Sequence, residues 1–128
     1  MGDIRVRRVY DLPGAEDGAR VLADRLWPRG MRKEAADLTL WLKEIAPSDE
    51  LRRWYHRDMT QWQEFARRYR AELDRSEAAV KRLLGLIRSG TVTLLYAARE
   101  AEHNHAIVLA EYMRERLRLD KSPRESRD

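Results

Sequence analysis

The sequence predicts a single small α/β layered domain: a short, largely parallel sheet of three to four strands flanked by about five helices. Two observations carry that reading. Short strand-like runs open the chain, helical periodicity fills its middle, and one more strand and a helix close it, the order expected where helices cover a sheet. The late strand, Thr91–Ala97, is β-branched and nearly continuous in its apolar content, the pattern of a strand covered on both faces. A chain of 128 residues supports one core rather than two.

Each element follows from its pattern. Residues 4–10 alternate with period two and read as a strand, ended by the turn Asp11-Leu12-Pro13-Gly14. Residues 19–27 read as a second strand stopped by Pro28, which cannot continue a ladder. A helical turn over 31–36 and a short strand over 38–42 follow, with a helix running to Ile45 as the alternative to that strand. Ser48 before Asp49 and Glu50 is a helix start, and the helix should end near His56. Thr60 with Gln63 reads as a capping box for a helix whose stripe is Trp62, Phe65, Ala66, Tyr69 and Leu73. Ser76 opens a third helix with Val80, Leu83, Leu84 and Ile87 inward, closed by Gly90. The last helix runs from about Asn104 to Arg118 and completes a domain over 1–119. Residues 120–128, charged and broken by Pro123, read as a disordered tail.

Composition narrows the chemistry. With no cysteine, disulfides, thiolate catalysis and cysteine-ligated metals are excluded. No apolar run reaches the ~20 residues of a membrane span and no basic-plus-apolar leader opens the chain, so a cytoplasmic protein without a membrane partner is expected. Net charge is +4, and 22 of the 26 basic residues are arginines, suited to planar contacts with phosphate and carboxylate.

Three polar clusters follow three predicted strands: Asp24–Gly30, Lys43–Ser48 and Arg99–His105. In open parallel sheets, ligands bind beyond the carboxyl ends of the strands, so all three clusters should meet along one edge. The expected ligand is phosphate-bearing, a nucleotide or the end of a nucleic acid. Asp24, Arg25, Trp27, Arg29, Ser48 and Asn104 would bind it. Ser48 and Asn104 stand at helix starts whose N–H groups favour anions. Glu44, His103 and His105 are the acid/base candidates, with catalysis itself an open option. His103 and His105 with a nearby carboxylate could suggest a metal, but a helix sends residues two apart to different faces, so none is expected. His56 would serve at most as a neighbour of the site. The alternatives are a non-catalytic nucleic-acid module using Arg57, Arg67, Arg68 and Arg70, or a structural oligomer subunit with spare apolar surface on the Trp62 or Met113 helices. The residues specify neither a cofactor nor an oligomeric state.

These motifs also carry a resemblance. Asp24-Arg-Leu-Trp-Pro-Arg-Gly30, Trp41-Leu-Lys-Glu-Ile-Ala-Pro-Ser48, Leu51-Arg52 with Trp54, Trp62…Phe65…Arg68-Tyr69…Glu72-Leu73, Thr93-Leu-Leu-Tyr-Ala97 and Glu102-His-Asn-His-Ala106 are similar to the domain-of-unknown-function 488 family, the YeaO-like small bacterial proteins. The similarity spans residues 4 to about 115. It implies a compact layered α/β domain and no assigned activity. Relatives carry His-Asp where this chain has Arg57-Asp58, which moves the histidine to position 56 and weakens any role built on it.

Overall fold

The computed structural model describes the backbone of residues 2–127 and the side chains of residues 2–119; the tail expected at 120–128 lies outside the fully described residues. Four strands, β1 (Ile4–Arg8), β2 (Ala19–Leu22), β3 (Leu40–Trp41) and β4 (Val92–Tyr96), form one parallel sheet in the order β1-β4-β2-β3. The helices are α1 (Lys33–Ala36), α2 (Asp49–Arg57), α3 (Trp62–Arg75), α4 (Glu77–Ser89) and α5 (His105–Arg127), with single 3-10 turns at Ala15–Asp17 and Lys43–Ile45. The small α/β domain predicted from the pattern is what forms. No helix of the described residues is long and apolar enough to cross a membrane.

Strand β4 lies between β1 and β2, and all five of its residues are buried. Its side chains alternate between two unequal layers. Val92, Leu94 and Tyr96 join the main core with Phe65, Tyr69, Leu83, Ile87, Leu109 and Met113 from the helices. Leu95 points the other way, to a thinner layer with Val9, Leu22 and Ala36, edged by Trp27, Leu38 and Trp41. The helical stripes read from the sequence are the ones buried.

The thin layer also holds charge. Asp17 and Arg20 are 1% and 4% exposed and meet at 2.6 Å. Arg20 gives its other donors to the carbonyls of Ala36 and Asp37, which closes the carboxyl end of α1. Gly18 has φ +65°, and a Cβ there would come within 2.1 Å of the Thr91 carbonyl oxygen, so the entry into β2 requires glycine.

Some boundaries differ from expectation, for local reasons. Strand β2 stops at Leu22 rather than running to Trp27. The Ala23 carbonyl is taken by His105 and the Asp24 carbonyl by the Trp41 indole, so side chains end the ladder. Strand β3 keeps two residues before the turn at Lys43–Ile45. The capping box at Thr60 does not form, because Asp58 accepts both the Thr60 N–H and its hydroxyl, and α3 begins at Trp62 without a side-chain cap.

Candidate functional site

The carboxyl ends of β2 and β4 open into a hollow of about 710 Å³, the size of a small-molecule site. Its walls come from the loop after β2, the loop between β4 and α5, and the inward face of α2. Around it stand Arg25, Arg29, Arg52 and Arg99, together with His56, His103 and His105. Against these four guanidiniums are two carboxylates, Asp24 and Glu100. Apolar groups including Leu26, Met59, Phe65 and the Trp27 ring complete the lining.

Asp24 fixes the two loops to each other. Its Oδ2 accepts the Ala97 N–H at 2.9 Å, and its Oδ1 lies 2.8 Å from His105 Nε2. Both neighbours of that ring nitrogen are acceptors, so Nε2 carries the hydrogen. That hydrogen is aligned on the Ala23 carbonyl at 3.0 Å, and the Asp24 oxygen sits beside the bond, near enough for charge but off its axis. Behind them the buried Tyr69 meets His105 edge-on at 6.3 Å and donates to the Ile45 carbonyl at 2.7 Å. Burial, with the charges of Glu72 and Asp24, raises the Tyr69 hydroxyl far above the usual tyrosine value, so it remains a neutral donor.

The remaining expected site residues divide clearly. Arg25 lines the hollow and anchors it, donating to the Pro47 and Ala46 carbonyls at 3.3 and 3.2 Å. Trp27 is half-buried, edge-on to Trp41 at 5.3 Å, with its indole N–H on the Met31 carbonyl at 2.8 Å. Arg29 is exposed at the rim; its carbonyl accepts the Tyr10 hydroxyl, while its guanidinium has no partner among the described residues. His103 is exposed and stacks on Trp62 at 4.8 Å. The two histidines therefore diverge, and no group of three or more potential metal ligands occurs among the described residues.

Three expectations need correcting. Glu44 is not at the hollow: the 3-10 turn Lys43–Ile45 turns it into a separate depression beside Arg75, Ser76 and Glu77. Ser48 caps α2 as expected, accepting the Leu51 N–H, but its own N–H and hydroxyl are bonded to the Glu72 carboxylate at 2.8 and 2.6 Å. An internal anion already occupies that helix end. Asn104 borders the hollow but is 3% exposed and fully engaged, donating to the Glu100 and Ala101 carbonyls and accepting the Ile107 N–H. It caps α5. Of the three expected clusters, the first and third meet, and the second contributes Ala46 and Pro47 alone.

The arginines of α3 are spoken for. Arg67 and Arg68 share Glu64, which they hold at a pKa of about 2, while Arg70 pairs with Glu115 at 2.9 Å. Met113 is fully buried and Trp62 packs against the core, so neither helix presents the spare apolar face considered from sequence.

Residues on α2 were overlooked. Arg52, Tyr55, His56 and Met59 recur at i, i+3, i+4 and i+7 and all line the hollow. That mixed basic and aromatic stripe was the available signal.

Comparison with known proteins agrees with the motifs. Residues 3–128 match the family described as the inactive DUF488-N3 subclade. The chain is 44% identical over 112 residues to the uncharacterized protein YeaO of Escherichia coli, covering 88% of this chain and 97% of that protein. It is 44% identical over 110 residues to the uncharacterized protein Rv3073c of Mycobacterium tuberculosis, covering 86% of this chain and 92% of that one. No solved structure matches significantly. A domain-wide match with the family, together with near-complete coverage of YeaO, places this chain in the YeaO-like DUF488 family.

Proposed function

We propose that the protein binds a phosphate-bearing ligand, a nucleotide, in the hollow at the carboxyl edge of the sheet, as a binding module rather than a catalyst. The observation that carries this reading is the lining: four guanidiniums around about 710 Å³ of largely apolar wall, far more room than a bare phosphate needs. Arginine provides charge-assisted, forked contacts to phosphate, and the apolar wall suits a flat ring. The acid/base candidates have other duties. His105 Nε2 serves Ala23 and Asp24, and Glu44 lies elsewhere. No serine or threonine lines the hollow to act as a nucleophile. The word inactive in the family description accords with a binder. Nucleic acid along α3 has no such support, since its arginines are internally paired.

Calorimetric titration of the full chain with nucleoside monophosphates should show saturable binding. Arg29→Ala, which removes a guanidinium without an internal partner, should weaken it about three- to tenfold while leaving the melting temperature unchanged. Undiminished affinity in that variant, or no binding by the wild type, would count against the proposal.

A further inference from the structure

We infer that the hollow selects its nucleotide by the ring, with Tyr55 and Glu100 together accepting the exocyclic amino group of an adenine, cytosine or guanine base. This inference rests on the nucleotide reading above and adds to it the identity of the recognised edge.

Tyr55 is 6% exposed, and its hydroxyl is buried with no hydrogen-bond partner among the described residues. A native structure rarely leaves such a group unmatched. Nor can the hydroxyl swing to find a partner. The ring is stacked on Phe65 at 4.4 Å and 26°, and leans on Trp62 at 6.0 Å. Its hydroxyl is thus held in place in the wall of the hollow, available to whatever enters.

Glu100 stands opposite as a prepared acceptor. Its Oε2 receives the N–H groups of Glu102 and His103 at 2.8 and 3.3 Å, which fixes the side chain and leaves Oε1 with no partner among the described residues. Those same bonds, Glu102 first, hold its carboxyl below the usual range, so it is ionised at neutral pH. Burial raises the Tyr55 hydroxyl and the Glu100 charge raises it further, which places the two groups within electrostatic reach although they are not bonded. His103, exposed and stacked on Trp62, adds a flat surface to the same wall.

An ionised carboxylate oxygen beside a phenolic oxygen matches a group rich in N–H and poor in carbonyl. An amino group has that character. Uracil instead offers its single N–H between two carbonyl oxygens, which the Glu100 charge repels. Ribose 5-phosphate has no ring edge at all.

The test compares AMP, CMP, GMP, UMP and ribose 5-phosphate by calorimetry on wild type, Tyr55→Phe and Glu100→Gln. The amino-bearing nucleotides should bind at least tenfold more tightly than UMP and ribose 5-phosphate. Each variant should shrink that gap to within about threefold and leave ribose 5-phosphate affinity unchanged. Tyr55→Phe keeps the ring packing, so without ligand it should unfold at or above the wild-type temperature; a clear loss would mean that the hydroxyl has an internal partner and would overturn the inference. Equal binding of all five compounds, or a gap that survives both variants, would overturn it and leave the phosphate reading standing. Absence of binding by every compound would remove both.

Discussion

Asp17→Asn is expected to lower stability by about 3–5 kcal/mol, the cost of breaking a buried ion pair from one side. The carboxylate is 1% exposed and receives three donors: Arg20 Nη1 at 2.6 Å, the Gly14 N–H at 2.9 Å and Arg7 Nη1 at 3.2 Å. An asparagine of the same shape turns one oxygen into an N–H₂ that faces those donors. It also leaves the Arg20 guanidinium, 4% exposed, without its counter-charge. Arg20 in turn closes α1 through Ala36 and Asp37, so the loss should spread to the whole thin layer. A fall of roughly 10–20 °C in Tm is anticipated for a domain of this size.

The pH dependence gives this prediction a second handle. Burial alone would raise the Asp17 carboxyl, but the bonds from Gly14, Arg20 and Arg7 outweigh it and pull the value below 3.8. A carboxyl lowered on folding contributes stability above its unfolded value and loses it as pH falls through the folded one. The gap between wild type and variant should therefore be full at neutral pH and narrow as pH drops below 3.8. Chemical denaturation at several pH values measures it. A neutral-pH difference under about 1 kcal/mol would show that the pair offsets its own desolvation and little more.

What could be read in advance was whatever depends on neighbours along the chain. The run Thr91–Ala97 contains β4 because a continuous apolar, β-branched segment has one natural home, between other strands. The stripes of α3 and α4 were equally plain, since periodicity near 3.6 records burial directly. Ser48 was legible as a cap, because its partner Leu51 is three residues away. Its second partner, Glu72, was not, and that carboxylate is what removes Ser48 from the site. The end of β2 failed for the same reason: the groups that terminate it, His105 and Trp41, arrive from remote segments. Glu44 was misplaced by a one-turn 3-10 helix, too short to leave a periodic signature. The convergence of Asp24–Gly30 with Arg99–His105 followed from parallel topology alone, because both segments leave carboxyl ends of neighbouring strands. Tyr55 and Arg52 face the same hollow from α2, and only their spacing hinted at it.

Asp24→Ala should be the second costly change, at about 2–3 kcal/mol, and the one that links stability to the site. Truncation leaves the half-buried Ala97 N–H without an acceptor, and an unmatched backbone group costs most of its desolvation. It also removes the negative charge 2.8 Å from His105 Nε2, although the Ala23 carbonyl still receives that hydrogen. Asp24→Asn should fall between, because its amide oxygen can still accept from Ala97 while its N–H₂ meets the His105 donor. His105→Ala adds the decisive comparison. If Asp24 and His105 act as one clasp between the two loops, the double variant should lose about 0.5–2 kcal/mol less than the sum of the single losses. Additive losses would instead mean that each loop is held independently. Unfolding free energies from urea titrations give all four corners of the cycle. Nucleotide affinity measured on the same proteins, below their melting temperatures, should fall in the same order as the clasp is weakened, since Arg25, Arg29 and Arg99 ride on the loops that it joins.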